Sequence, residues 1–133
     1  MKDSQKVFEL VNKHGFNEGT AIAYLESKGK CVYCDKNLLE GLSDFYAADI
    51  DHLLPKSMYP EIEWDINNWV LSCRACNSIK GKMNISNLSW TPTEAIKNHK
   101  KELIAMFRTF LQERRNTKEL EFKMIKEIIQ IVE

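Results

Sequence analysis

The stretch NNWVLSCRACNSIKGK, residues 67–82, carries a strand, a pair of thiols and a helix in direct succession. WVLSC is a short apolar run of strand character, and CRAC sets Cys73 and Cys76 two residues apart. RACNSIKG reads as a short helix with Asn77 near its start and Lys80 one turn on, along the same face. Upstream, CVYC supplies a second pair, Cys31 and Cys34. Two residues between thiolates let one turn present both sulfurs to one ion. Two such turns complete a tetrahedral zinc site with Zn–S bonds of about 2.3 Å. Redox CxxC motifs and paired disulfides share this spacing, but neither accounts for two pairs in a reducing compartment. Four thiolates leave no open coordination position, so the expected Zn2+ is structural and its binding energy becomes folding energy. The 38 residues between the pairs exceed the needs of a simple zinc ribbon and must hold structure of their own.

That segment contains DIDHLLPKS, residues 49–57. Its first half reads as a short strand, yet it carries two aspartates and a histidine, which a buried strand tolerates only if they are paired, neutralised or metal-bound. Neighbours on a strand alternate faces, so Asp51 and His52 point apart. One can serve a metal while the other faces a reacting water. Histidine suits a base because it titrates near neutrality. A carboxylate from Asp51 and an amide oxygen from Asn77 are hard ligands, matched to Mg2+ or Mn2+ rather than to a thiolate-seeking ion. Taken one at a time, these residues also fit a strand-end salt bridge and a helix cap.

The rest of the chain gives a frame. A length of 133 residues is one domain's worth, with 19 basic residues balancing 19 acidic ones. The distribution is uneven: residues 35–65 hold eight acidic groups against two lysines, and residues 74–101 hold six Lys/Arg against one glutamate. The basic segment fits a phosphate-rich ligand or a solvated helix face equally well. MKDSQKVFELV has charges throughout and no apolar core, so neither a signal peptide nor a membrane span is expected, and a cytoplasmic setting is.

Helical spacing of Val7, Leu10 and Val11 predicts a helix over 4–14, capped by Ser4. Ala21, Ile22 and Leu25 predict a second over 17–28. YAADI (46–50) reads as the first strand. TPTE, residues 91–94, opens a helix to about residue 115, and NTKE at 116–119 starts another. Trp64, Trp69 and Trp90 read as core, and the acidic loop YPEIEWD is expected to stand away from a phosphate backbone.

Taken together, CVYC, DIDHLLPKS and NNWVLSCRACNSIKGK resemble the HNH nuclease family in its zinc-stapled, four-cysteine form, over about residues 31–83. The resemblance implies an α+β fold with a small ββα-metal core, flanked by N-terminal and C-terminal helices. The expected organisation is one domain: a helical extension over 1–30, the nuclease core over 31–90 and a second helical extension over 91–133. By the same resemblance His52 is the general base, Asp51 and Asn77 ligate the catalytic Mg2+ or Mn2+, and Asn68 orients the histidine through its loop. Asn77 stands where many members have histidine, a stronger ligand than an amide. Lys80, Lys82 and Arg74 are the candidates for gripping phosphate.

The implied activity is metal-dependent hydrolysis of phosphodiesters in DNA, with RNA less favoured. It nicks one strand, or cuts both as a dimer or complex. Such domains serve restriction, antiphage and phage-encoded systems. The apolar C-terminal helices offer a surface for a homodimer or a partner protein. The rival from another class is a zinc-stapled binding module without catalysis, which leaves the Asp51–His52 pair unexplained.

Overall fold

The computed structural model describes residues 4–85 and 88–132. In chain order the elements are α1 (Ser4–His14), α2 (Glu18–Ser27), α3 (Leu42–Tyr46), β1 (Ala48–His52), β2 (Trp69–Cys73), α4 (Arg74–Lys80), α5 (Pro92–Asn98) and α6 (Lys100–Val132). Single turns of 3₁₀ helix at Pro60–Ile62 and Ile66–Asn68 fill the loop between the strands. The arrangement is α+β, with a two-stranded antiparallel sheet followed by a helix at its centre.

β1 and β2 pair in a register that sets Ala48 opposite Cys73, Asp51 opposite Val70 and His52 opposite Trp69. YAADI gives way to helix at its start, because Tyr46 ends α3, and the strand begins at Ala48. A two-stranded sheet is marginal alone, so both faces are covered. On one side α2 closes onto Trp69 across Gly19, where an added Cβ would lie 2.6 Å from the indole ring. The buried positions of α2 are Gly19 and Ala23, while Ala21 and Ile22 are half-buried and Leu25 is exposed. Close approach to a large ring requires small residues on the contact face. Asn17 caps α2 by accepting from the Thr20 amide at 3.1 Å. Ser4 opens α1, and its side chain, expected as a cap, lies outside the described residues.

On the other side of the sheet lies α4, whose start is fixed by Cys73. This residue ends β2 and caps the helix, its Sγ accepting from the Cys76 amide at 3.3 Å. The sulfurs of Cys31, Cys34, Cys73 and Cys76 all lie within 4.8 Å of one another, with Cys34 and Cys73 at 3.7 Å, and none is in a disulfide. Tetrahedral zinc with bonds of about 2.3 Å separates its sulfurs by about 3.8 Å. The cluster therefore fits a structural zinc ion. Hydrogen bonds from Cys73 and Cys76 hold the Cys31 thiol far below its ordinary range, and the same contacts push Cys76 far up. Burial pushes Cys34 up to about 11. Four crowded sulfurs cannot all ionise by themselves; a dication stabilises all four as thiolates.

α5 follows the sequence closely: Thr91 caps it by accepting from the Glu94 amide, and Pro92 takes the first turn. The expected helix from 92 to 115 is interrupted at His99, whose ring stacks on Trp90 with centroids 3.8 Å apart. The expected restart at NTKE does not occur, and α6 runs unbroken over 33 residues. Asn116 accepts from Gln112 one turn back, so its side chain is satisfied within the helix and need not cap a new one.

Leu103, Phe107 and Leu111 form the buried stripe of α6 and meet Leu53, Leu54 and Leu71 in a common core. Three arginines flank that stripe. Arg108 reaches the Val32 carbonyl and Asp35, Arg114 the carbonyls of Ile79 and Lys80, and Arg115 the Cys76 sulfur at 3.0 Å. Beyond Leu111 every described residue of α6 except Arg115 is exposed. Among the described residues no helix is long and apolar enough to cross a membrane.

Two outcomes follow from this packing. Truncating the fully buried Phe107 to alanine should cost about 3–5 kcal/mol, and Phe110→Ala, on the exposed side, about 1 or less, in denaturant unfolding at equal zinc content. Metal analysis should find one zinc per chain, with Cys76→Ser losing both the metal and the cooperative transition.

Candidate active site

Alternation along β1 sends Asp49 and Asp51 towards α4, and Ile50 and His52 to the opposite face. On the α4 side, Arg74, Asn77 and Lys80 recur every three residues and meet the two aspartates in turn. Arg74 lies 3.5 Å from Asp49, the Asn77 Nδ2 donates to Asp49 Oδ2 at 3.2 Å, and Lys80 Nζ lies 3.0 Å from Asp51 Oδ2. A carboxylate only accepts, so the contact turns the Asn77 NH2 towards Asp49 and leaves Oδ1 without a partner among the described residues. Asp49 has no role in the sequence reading, although its i, i+2 relation to Asp51 places both on one face.

The histidine is held from the other side. His52 Nε2 lies 3.0 Å from the Glu63 carbonyl oxygen, which also accepts from Trp69 Nε1 at 2.9 Å. A carbonyl accepts only, so Nε2 is the donor, and Nδ1 is the nitrogen that carries the lone pair whenever the ring is neutral. The loop that carries Glu63 is tied down by Asn68, fully buried in a two-way clasp with Leu54. Its Oδ1 accepts from the Leu54 amide at 2.8 Å, and its Nδ2 donates to the Leu54 carbonyl at 2.9 Å. The Asn68 carbonyl further accepts from Leu53 N at 2.7 Å. Asn67 is spent locally on Asp65.

Asp51, His52 and Asn77 line one cleft of about 240 Å³, with Ile50, Lys56 and Lys82 also on its walls. Its donor set consists of a carboxylate and an amide oxygen, which fits a hard divalent ion that keeps several waters. A larger cleft of about 480 Å³ lies between α2, β2 and the start of α6, lined by Val70, Leu71, His99 and Ile104. It holds none of these groups, so volume does not identify the chemistry.

Two expectations are corrected here. Lys80 is fully buried, donating to the His52 carbonyl at 3.0 Å as well as pairing with Asp51, so it cannot meet a phosphate. The helical face it shares with Asn77 turns into the sheet rather than into solvent. Arg74 is exposed but folds back onto the Tyr46 carbonyl and Asp49, so Lys82 is the member of that trio that lines the cleft. Trp64, read as core, is 78% exposed, edge-on to half-buried Trp69 with centroids 6.5 Å apart. The sequence reading also passes over Tyr33, whose hydroxyl donates to Asp51 Oδ2 at 2.6 Å. Burial and the Asp51 charge push this phenol well above its ordinary range, so it stays a donor.

Comparison with known proteins agrees with this geometry. The sequence profile of HNH endonucleases matches residues 31–83. Septu protein PtuB of Bacillus thuringiensis is 39% identical over 61 residues, covering 45% of this chain and 23% of that protein. The matched segment thus spans less than a quarter of the relative. Residues 31–83 thus carry the match to HNH endonucleases, and they fold as a ββα unit around β1, β2 and α4 with four clustered cysteines.

Proposed function

We propose that the chain is a metal-dependent endonuclease that hydrolyses phosphodiester bonds in DNA, with His52 as general base. The observation that carries this is the convergence of Asp51, His52 and Asn77 on one cleft, with His52 Nδ1 left free by the Nε2 contact to Glu63. Mg2+ or Mn2+, held by Asp51 Oδ1 and Asn77 Oδ1, would supply charge neutralisation at the scissile phosphate.

His52 Nδ1 takes the proton of the attacking water as its oxygen bonds to phosphorus. The P–O3′ bond then breaks in line, the leaving oxygen is protonated from solvent, and the products are a 5′-phosphate and a 3′-hydroxyl. Asn68 contributes at a distance: by locking Leu53 and Leu54 it holds the residue after which the strand turns. Lys82 at the cleft wall is placed to meet a backbone phosphate, and Lys56 lies on the same wall, 3.7 Å from Glu63.

A single cleft of this kind cuts one strand, so double-strand cleavage needs a second copy or a second nick. Function within a restriction, antiphage or phage-encoded system, with a homodimer or partner protein seated on the exposed part of α6, belongs to the same proposal. Similarity to a Septu protein supports a place among such systems.

On supercoiled plasmid with Mn2+ or Mg2+, the zinc-loaded protein should produce nicks, and His52→Ala with equal zinc should lower the rate by about 10²–10⁴. Inert wild-type protein on DNA and RNA with every divalent ion would favour the non-catalytic binding module. The two lysines should separate in DNA-binding titrations. Lys82→Ala should reduce the slope of log K against log salt by about 1, whereas Lys80→Ala should leave the slope unchanged and lower stability.

A further inference from the structure

Asp51 is held in an unusual way for a residue read as a metal ligand. Among the described residues only one of its oxygens is used: Oδ2 accepts from Tyr33 at 2.6 Å and pairs with Lys80 at 3.0 Å. Both partners are buried, Tyr33 at 5% exposure and Lys80 at 0%. The Lys80 ammonium has three protons, and three acceptors surround it: Asp51 Oδ2, the His52 carbonyl and the Phe107 ring face 4.7 Å away. Nothing among the described residues bonds Asp51 Oδ1, and that atom is not sealed among the buried unpartnered ones. Asp51 also lines the cleft, so Oδ1 is the oxygen presented there.

We infer that Tyr33 and Lys80 are positioning residues that clamp Asp51 Oδ2, so that Oδ1 alone faces the catalytic ion as a fixed, single-oxygen ligand. This rests on the reading of Asp51 as a ligand under Proposed function. A carboxylate with both oxygens free rotates about its terminal torsion and can chelate through both. Two donors on one oxygen stop the rotation and leave the one-oxygen geometry that a near-octahedral ion demands. Lys80 fastens the next residue too, through the His52 carbonyl, so one ammonium sets the spacing of ligand and base. Tyr33 lies in the CVYC turn and its amide donates to Cys31 Sγ at 3.4 Å. The thiol cluster thus reaches the catalytic carboxylate through one aromatic side chain.

The test is Mn2+ binding, followed by the loss of the free-ion EPR signal, on zinc-loaded wild type, Tyr33→Phe and Asp51→Asn. Removing the hydroxyl while keeping the ring should weaken Mn2+ binding by about tenfold or more, with zinc content and melting temperature kept. The Mn2+ concentration for half-maximal nicking should rise by the same factor. Tyr33→Phe binding Mn2+ within twofold of wild type, while Asp51→Asn loses it, would overturn the clamp and leave the ligand reading standing. Asp51→Asn with wild-type affinity would overturn both. If Tyr33→Phe loads less zinc, 3-fluorotyrosine at position 33 gives an independent readout in the folded protein. Its ¹⁹F resonance should move on Mg2+ titration and stay still in Asp51→Asn. A still resonance while Mg2+ binds to the otherwise unmutated protein would also overturn the clamp.

Discussion

Cys73 is where the structure's constraints meet. It is the last residue of β2, the N-cap of α4 and a member of the four-sulfur cluster, so strand, helix and thiol cluster share one Cα. Because β2 runs antiparallel to β1, the helix that leaves Cys73 must travel back along β1 towards its tip. That return path brings Arg74, Asn77 and Lys80 past Asp49 and Asp51 in order. Were the junction free to swing, neither the Asn77 amide nor the Lys80 ammonium would be fixed against the strand. The arrangement of the sulfurs and the geometry of the cleft are therefore one problem for this chain, solved at one residue.

Placing an ion pair inside a small core is costly, and replacing it with apolar groups often leaves a protein as stable or more so. The Asp51–Lys80 pair is accompanied by the hydrogen bonds that such a pair needs, from Tyr33 on one side and to the His52 carbonyl on the other. Its worth lies in geometry: it orders the two residues at the strand tip on which the proposed chemistry depends. The Asn68 clasp does the equivalent for the loop, satisfying both backbone groups of Leu54 with one side chain.

Around this unit α6 acts as a brace. Its apolar stripe covers the core, and its arginines donate to carbonyls and a sulfur beneath it, including the C-terminal carbonyls of α4. A helix of this length is held by one stripe over its first turns, while the remainder carries Leu120, Met124, Ile125 and Ile128 into solvent. The part that braces and the exposed part are continuous within one helix.

The sequence by itself determined the thiol spacing, the Asp-His strand tip and the WVLSC strand entering a short helix, because each is written in neighbouring residues whose chemistry is local. The cap at Thr91 was legible for the same reason. Only the tertiary structure decided which way each charged side chain turned. Lys80 and Lys82 differ by two positions, yet one is sealed against Asp51 and the other stands on the cleft wall. Tyr33 and Asp49 acquired partners that lie 18 and 28 residues away, and no local pattern encodes such pairings. The continuity of α6 through NTKE was likewise beyond local signals, since a capping motif and a solvated helix turn use the same polar residues. What neighbouring residues specify can be read along the chain; what burial specifies appears only when distant segments exclude water from between them.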